Sequence, residues 1–457
     1  MSVDMAHDNQ LDWDIVVRQL VEALHEHDRP GDHVHRVEIP IQPCRIIDWI
    51  VQQRHDQKLY WSDRNGAVEV AGIGEAAVLS PSNPHTLDVP DVFAYGRTLL
   101  SSRHKHQRLY GGFSFADSNS EQWSSFGRFR FVAPAIEVGR DGDDYYAACQ
   151  WRSGGDNKAE LVALLESARL QEQTPQSHIA HHRVDTPARE EWYSKIETLL
   201  ELFEQGDVDK VVLARESKFF FNDPVEPCTL LQHLRENTSH SYHYAFQSPD
   251  GSMFIGASPE RLFKRDGELL YSEALAATRP RGATLAEDEA LGHELMTSDK
   301  DLREHKMVLD RIVSLLDEFC SNVSRDREIE VLKLRHCQHL LCKVGGQLHS
   351  TECDADVLEK LHPTPAVGGT PKHRAMDWIA KLEEFDRGWY AAPVGWIGLD
   401  AVEFAVAIRS ALVQHDVVSV YTGAGIVPGS KPKLEWKEIE NKIADFRSLF
   451  APEDSDR

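Results

Sequence analysis

Two predicted helices place carboxylates in line with apolar side chains. In the first, Asp301 and Glu304 lie at helical spacing from an apolar stripe that starts at Val308. Acids in such a stripe lose hydration, which is costly unless a cation or hydrogen-bond donors compensate. The alternative interpretation is a pair of first-turn acids that the helix dipole favours.

The C-terminal segment KLEWKEIENKIADFRSLF, predicted as a helix over about 432–450, repeats this arrangement. Glu435, Glu438 and Lys442 lie on one face that continues into Phe446. Two helices that point acid pairs at a common interior would form an oxygen-rich site for a hard cation such as Mg²⁺, completed by water and substrate oxygens. The alternative is a surface ion pair of Glu438 with Lys442, worth roughly 0.3–0.5 kcal/mol.

Two further segments could bind an anion. The strand VVSVYT runs into Gly423, Ala424 and Gly425, a predicted strand-to-helix turn whose backbone N–H groups could hold a carboxylate. The strand AVEFAVAIRS places Arg409 on the same face as small alanines, and its guanidinium can donate two parallel hydrogen bonds to a carboxylate. A plain turn and an exposed face with an ion pair are the respective alternatives.

The segment RHCQHLLC contains two histidines and two cysteines. Its spacing matches no usual zinc site, and it alternates like a strand. We therefore predict structural roles for these four side chains.

Helix signals show what must position these residues. Thr186 and Pro187 are typical of a helix start, and Gly206 is typical of its end. Thr284 and Ser298, each followed three residues later by an acid, predict the starts of two more helices.

Strand signals surround these helices. KVVLARESKFFF follows the first helix, and Asp266 with Gly267 predicts a type I′ hairpin between RLFKR and ELLYS. FGRFRFV and DYYAACQW are strand-like, a helix is predicted near 157–171, and the stretch 172–190, rich in Gln, His and Pro, is predicted as a connecting loop. Runs of strands without strict βαβ alternation predict an α+β fold.

The composition limits the partners and the compartment. Fifty Lys and Arg against 74 Asp and Glu give a net charge of −24, which disfavours nucleic acid and anionic membranes. A small anionic substrate would therefore need local cations or a metal ion. Seven cysteines without a CxxC motif disfavour a disulfide framework and favour a reducing cytoplasm.

The length and the apolar pattern add two expectations. The 457 residues fit two domains or one large two-lobed domain. The acidic N-terminus lacks the features of a signal peptide, and no apolar run reaches about 18 residues. We therefore expect a cytoplasmic protein without a membrane span.

These segments resemble the chorismate-utilising enzymes, a family that includes isochorismate synthases, salicylate synthases, anthranilate synthase component I and aminodeoxychorismate synthase. The resemblance covers roughly residues 187–450. It rests, in chain order, on KVVLAR, IGASPERLF, SEALAATRPRG, DLREHKMVLD, LHPTPAVGGTP, YAAPVGWIG, AIRSAL, TGAGIVPGS and EWKEIENK. The earlier RLYGGFSF and WSSFGRFRFVAPAIEV resemble the N-terminal part of the same fold.

The resemblance implies a two-lobed α+β fold with large, mainly antiparallel sheets flanked by helices. Residues 1–185 would form the variable N-terminal part and residues 186–457 the chorismate-binding catalytic region, together in one compact unit. The implied magnesium ligands are Glu304 and Glu438, supported by Asp301 and Glu435. The substrate carboxylates would be held by Tyr390, Arg409, Lys442 and the backbone of Gly423, Ala424 and Gly425.

The resemblance also implies the reaction. Lys210 stands where isochorismate and salicylate synthases carry lysine and where anthranilate synthases, which use ammonia, carry glutamine, so it favours water as the nucleophile. Lys210 would deprotonate water as it attacks C2 of chorismate, and Glu260 would protonate the departing C4 hydroxyl. Their ordinary pKa values of ~10.4 and ~4.3 would have to be lowered and raised, respectively. Ala276 stands where aminodeoxychorismate synthases carry a nucleophilic lysine, so no covalent amine intermediate is expected.

The segment EALAAT separates the closest alternatives. Related isochorismate synthases carry EALAGT and salicylate synthases PLAGT, so simple isomerisation is favoured, and Ala277 in place of glycine is expected to be tolerated. The alternatives are a salicylate synthase, which eliminates pyruvate from isochorismate, and a non-catalytic chorismate-binding protein. Isochorismate feeds menaquinone and catechol siderophores, and the long N-terminal region resembles the menaquinone-type enzymes. A monomer is expected.

Overall fold

Antiparallel strand pairing organises the molecule. The computed structural model describes residues 11–26, 33–81, 87–117, 120–152, 157–168, 179–350 and 353–450. All strand pairs among these residues are antiparallel. The strands, in chain order, are β1 Val34–Pro40, β2 Lys58–Ser62, β3 Val68–Leu79, β4 Leu109–Phe113, β5 Phe129–Asp141, β6 Asp144–Arg152, β7 His182–Thr186, β8 Lys210–Phe220, β9 Tyr242–Gln247, β10 Met253–Ser258, β11 Arg261–Asp266, β12 Leu269–Pro280, β13 Cys320–Arg325, β14 Glu330–Lys333, β15 Cys337–Leu348, β16 Gly369–Thr370, β17 Pro393–Ile397, β18 Ala401–Val406, β19 Ser410–Gln414 and β20 Val417–Ile426.

Helices flank these strands. They are α1 Trp13–Glu26, α2 Ile46–Val51, α3 Val89–Thr98, α4 Asn157–Ser167, α5 Arg189–Glu204, α6 Pro227–Asn237, α7 Leu285–Thr297, α8 Asp299–Phe319, α9 Asp354–Leu361, α10 Lys372–Leu382, α11 Pro432–Lys442 and α12 Ala444–Phe450. A short 3₁₀ helix covers Glu121–Trp123.

The sheet has two branches that share the long strand β5. The first runs, strand by strand, β1, β6, β5, β3, β2, β9, β10, β19, β20 and β8, with β7 and β16 beside β8. The second leaves β5 through β4 and continues with β17, β18, β11, β12 and β15, with β13 and β14 beside β15. Side chains of both branches, among them Phe131, Phe254 and Phe404, form the larger apolar core. This architecture confirms the predicted α+β fold.

A second apolar core packs helices onto the first branch. Leu20 of α1, Ile47 of α2, Leu231 of α6 and Phe446 of α12 share it with Ile255 of β10. None of the described helices is long and apolar enough to cross a bilayer.

Strands from residues 1–185 pair directly with strands from residues 186–457 within this sheet. β2 pairs with β9, β4 with β17 and β7 with β8. The expected boundary at residue 185 falls inside β7, so part of the predicted loop 172–190 is a strand. Residues 169–178, which include the end of the helix predicted near 157–171, lie outside the described residues.

The predicted helix starts agree with the structure apart from one. Thr186 ends β7, and the helix begins at Arg189 with Ala188 as its N-cap, so the predicted start at Thr186 was wrong. Thr284 and Ser298 cap α7 and α8 as predicted, since each side chain accepts a hydrogen bond from the backbone N–H three residues later.

Two local predictions need correction. The hairpin of β11 and β12 is confirmed, but Asp266 still pairs with Leu269, and of the two predicted turn residues only Gly267 has a positive φ, of 56°. The turn is therefore not type I′. The C-terminal helix is two segments, α11 and α12, which meet at Ile443.

Candidate active site

One cavity brings together residues from both branches of the sheet and from α8 and α11. Two of the predicted site residues, Lys210 and Ala424, are not part of its lining. The predicted residues that do line it are Glu260, Asp301, Glu304, Tyr390, Arg409, Gly423, Gly425, Glu435, Glu438 and Lys442.

Lys210 lies directly behind the cavity wall. It is the first residue of β8, its side chain is 1% exposed, and its Nζ donates a hydrogen bond of 2.9 Å to Oε1 of Glu304. Gly425 on the neighbouring strand β20 lies beside it, and a Cβ at that position would lie 2.7 Å from Lys210 Cε. Glycine at 425 is therefore required by the close approach of the lysine.

Glu260 is buried between β10 and β11, and its backbone is fixed on both sides. Its N–H donates to Ser258 Oγ at 3.2 Å, and its carbonyl accepts from the N–H of Val406 at 3.0 Å. Burial first, and then the negative charge of Glu273, raise the pKa of Glu260 to about 8. A carboxyl that keeps its proton near neutral pH can act as a general acid.

The acids of α8 lie at the start of this helix, as the stripe predicted. Burial acts to raise the pKa of Glu304, but the Lys210 ammonium outweighs it, so the pKa lies below its ordinary value. Asp301 is buried and forms an ion pair with Arg279. The charge of Asp301 is therefore already compensated, whereas Glu304 shares its charge with Lys210.

The acids of α11 lie on the opposite side of the same cavity lining. Glu438 pairs with Lys442 at 2.7 Å, so the predicted ion pair exists, but it faces the cavity. Burial and then the Glu438 carboxylate raise the pKa of Glu435, whose Oε1 lies 3.5 Å from the Lys300 ammonium. These carboxylates repel one another, and a bound cation would relieve that repulsion.

The acids fit a site for Mg²⁺ that the protein completes only in part. Among the described residues no group of three or more His, Cys, Asp or Glu side chains encloses a metal position. Mg²⁺ keeps several waters and commonly uses one or two protein carboxylates with substrate oxygens. Glu304 and Glu438 can supply those two carboxylates.

Arg409 lies in a break between two strands and not in a continuous one. β18 ends at Val406 and β19 begins at Ser410, so the predicted strand AVEFAVAIRS was wrong at its end. The φ of Arg409 is 52°, and its guanidinium donates to Lys442 O at 2.9 Å and to Cys337 Sγ at 3.0 Å. The break turns the guanidinium toward the cavity instead of along the face of a strand.

The glycine segment is also a strand and not the predicted turn. Gly423, Ala424 and Gly425 lie within β20, opposite β8. Gly425 lies opposite Val212, and Gly423 lies opposite Ala214. The N–H groups of Val212 and Ala214 donate their hydrogen bonds to residues outside β20. The two glycines are therefore at non-hydrogen-bonded positions of the ladder.

The alternation within β20 separates the three residues of this segment. The N–H and C=O groups of Gly423 and Gly425 therefore point away from β8, and Lys442 Nζ donates to Gly423 O at 2.9 Å. Ala424 is fully buried in the core and does not face the cavity, so its predicted part in substrate binding has no support in its position.

The segment RHCQHLLC contributes to the site, although only structural roles were predicted for it. His339 lines the cavity, and its Nδ1 lies 3.0 Å from Ala277 O and its Nε2 3.3 Å from Cys337 Sγ. Burial acts to raise the pKa of the Cys337 thiol, but Arg409 and His339 lower it to about 6. Because side chains alternate along a strand, Cys337 and His339 lie on one face of β15. This spacing was the sequence signal from which their proximity could have been predicted.

Comparison with known proteins identifies the family. The family described as chorismate binding enzyme matches residues 19–450. The isochorismate synthase MenF of Bacillus subtilis is 32% identical over 433 residues, covering 90% of this chain and 92% of that protein. The MenF protein of Escherichia coli is 30% identical over 438 residues, covering 93% and 95%.

A solved structure shows the same fold. The menaquinone-specific isochorismate synthase of Escherichia coli superposes with a TM-score of 0.86 and 28% identity, covering 96% of this chain and 99% of that one. The family match and the nearly full-length relatives show that this chain belongs to the family of chorismate-binding enzymes.

Proposed function

We propose that this protein is an isochorismate synthase, which converts chorismate to isochorismate with Mg²⁺. The observation that carries the proposal is a buried lysine, Lys210, in contact with the cavity residue Glu304, together with a buried, protonated carboxyl, Glu260, in the lining of the same cavity. The relatives that bear this name extend over nearly the whole chain, which supports the same reaction here.

The two residues have complementary parts in the reaction. Lys210 first releases the proton of its ammonium. Its neutral amine then takes a proton from the water that adds to C2 of chorismate, and the ring double bonds shift toward C4. Glu260 gives its proton to the C4 hydroxyl, which leaves as water, so one water enters and one departs. The buried position of Glu260 supports this part, because it keeps the carboxyl protonated near neutral pH.

Glu304 and Glu438 would hold the Mg²⁺ ion, with Glu435 and Asp301 in support. The ion supplies positive charge for the ring carboxylate of the substrate, which the net charge of −24 would otherwise repel. Both carboxylates lie at the cavity, one on α8 and one on α11.

The remaining cations and N–H groups would bind the substrate carboxylates. Arg409, Lys442 and Tyr390 line the cavity together with the backbone of Gly423 and Gly425. Tyr390 stacks on Tyr421 with ring centroids 5.4 Å apart, which fixes the position of its hydroxyl.

We further propose that the chain acts as one unit in a reducing cytoplasm, and as a monomer. The strand pairs that join its N-terminal and C-terminal parts support a single unit. All seven cysteines are free, which supports a reducing compartment.

Incubation with chorismate and Mg²⁺, followed by chromatographic separation of the products, tests the function. Chorismate and isochorismate are isomers, so retention and not mass must identify the product. We expect isochorismate from the parent protein and none from Glu260→Gln. Salicylate with pyruvate, anthranilate in the presence of ammonia, or binding of chorismate without any product would each overturn the proposal.

A further inference from the structure

Glu273 on β12 is a buried carboxylate next to the proposed acid, outside the cavity lining. Its Oε1 accepts hydrogen bonds from Arg64 Nη1 at 2.6 Å and from the Arg261 N–H at 3.0 Å, and its Oε2 accepts from Arg64 Nη2 at 2.7 Å. The bidentate guanidinium and the backbone donor match the acceptor positions of a carboxylate. The Glu273 carboxylate is therefore held in an ion pair inside the protein.

Arg64 comes from the turn between β2 and β3, in the N-terminal part of the chain. Its Nη1 also donates to the carbonyl of Pro259 at 2.9 Å, the peptide group directly before Glu260. One guanidinium thus binds the Glu273 carboxylate and the backbone that carries the proposed acid. The side chain of Arg64 is 12% exposed and that of Glu273 is fully buried, so solvent screens this contact weakly.

The charges that face Glu260 oppose one another. Lys210 of β8, Lys442 of α11 and Arg64 favour its ionised form, whereas Glu273 disfavours it. The Tyr390 hydroxyl faces it as a neutral group, because burial raises the pKa of that phenol. The three cations favour loss of the proton that Glu260 needs as an acid. The negative charge of Glu273 opposes this effect.

We propose that Glu273, held by Arg64, is a positioning residue that keeps the Glu260 carboxyl protonated and fixes its backbone. This inference rests on the proposed function only where it calls Glu260 the acid. The effect of Glu273 on the proton of Glu260 is electrostatic and exists without turnover. The N-terminal part of the chain thereby contributes to the reaction through Arg64, although that residue does not line the cavity.

The test is a titration of the Glu260 carboxyl by infrared difference spectroscopy, with its band assigned through its loss in Glu260→Gln. In Glu273→Gln the like charge is gone while the side chain keeps its shape. We expect the midpoint of Glu260 to fall by about one pH unit or more, a tenfold change in proton affinity. The kcat at pH 8 should fall with it, because less of the acid holds its proton.

Two further variants complete the experiment. Glu273→Gln combined with Arg64→Gln removes both charges and avoids an unpaired buried guanidinium, and we expect a smaller fall in the same direction. Glu403→Gln is the matched control: Glu403 is equally buried, accepts from Arg261 and Tyr242, and is not among the charges that most affect Glu260. Its Glu260 midpoint should equal that of the parent.

The outcomes separate the two proposals. An unchanged midpoint in both Glu273 variants would overturn the positioning role. A shifted midpoint in a protein that forms no isochorismate would uphold the electrostatic role and overturn the proposed function. A shift of the same size in Glu403→Gln would show a general effect of buried charge and would also overturn the specific role of Glu273.

Discussion

The Lys210 ammonium and the Glu304 carboxylate are in direct contact, with Nζ 2.9 Å from Oε1. The contact joins the first residue of β8 to the first turns of α8. It links the residue proposed to activate water to a residue proposed to bind Mg²⁺. Substitutions at either position must therefore be judged by metal binding and by turnover separately.

Lys210→Gln removes the proposed base and leaves an amide that can still donate to Glu304. We expect kcat for isochorismate formation to fall by about 10²- to 10⁴-fold, the range of general acid–base catalysis. Calorimetry should show Mg²⁺ bound at least as tightly, because a competing cation is gone. Lys218→Gln, on the same strand but only partly buried, is the control and should keep parental activity. Parental turnover in Lys210→Gln would refute the assignment of the base.

Glu304→Gln and Glu438→Gln each remove one proposed magnesium ligand. We expect the Mg²⁺ concentration for half-maximal activity to rise by at least about tenfold, since even indirect changes to metal sites have effects of this size. Asp310→Asn, on the exposed side of α8, should leave the Mg²⁺ dependence unchanged. Equal Mg²⁺ dependence in all three variants and the parent would place the ion elsewhere.

The inward acids could be predicted from the sequence because they share the period of a helix. Asp301 and Glu304 precede the apolar stripe of α8, and Glu435 and Glu438 precede Phe446, which lies in α12, so their faces follow from spacing. Lys210 and Glu260 carry no periodic signal. Their proximity comes from strand pairing between distant segments, and only the family resemblance indicated their roles.

The wrong local predictions also have physical reasons. The pattern Gly423, Ala424, Gly425 is typical of a turn, but here Gly425 keeps a strand free of a side chain beside Lys210. The sequence alternates up to Arg409, but the positive φ of Arg409 does not fit a continuous strand, and the strand ends before this residue. Arg64 and Glu273 are 209 residues apart, and their contact has no signature in a single sequence.

Glu440 holds α11, the helix of the proposed metal acids, against β7 and β8. Its Oε1 accepts hydrogen bonds of 2.6 Å from Arg183 and from Arg215. Burial acts to raise the pKa of Glu440, but the two guanidinium groups lower it from 4.5 to about 2. The folded state therefore binds the ionised form more tightly than the unfolded state does.

Glu440→Gln should lower the stability of the protein in a pH-dependent way. A depressed pKa stabilises the fold above about pH 4.5, and this contribution is lost as the pH falls through about 2. Urea unfolding should show a loss of about 1.5–3 kcal/mol near neutral pH, the range for charged hydrogen bonds, and a smaller loss below pH 4. The control is Glu318→Gln, whose pair with Lys360 is half exposed on the surface. A loss independent of pH would contradict the role of the charge.

Ala277 has a left-handed backbone, with φ of 61°, at the bulge where β12 shifts register against β15. Its carbonyl lies 3.0 Å from His339 Nδ1, so the bulge also positions a side chain of the cavity. The glycine usual in related enzymes avoids the steric cost that alanine meets in this conformation. Alanine adopts this conformation here, and its tolerance stays a prediction.

Ala277→Gly should therefore stabilise the protein without loss of activity. The left-handed conformation costs alanine about 1–2 kcal/mol, whereas glycine adds about 0.4–1 kcal/mol of unfolded-state entropy. These two terms leave a net gain of about 0–1.6 kcal/mol, measurable by urea unfolding. Ala274→Gly, on the same strand but with an ordinary φ, should lose stability because only the entropic term and a buried methyl change. If both variants lose stability equally, the backbone at 277 is not strained and its alanine packs like any other in the core.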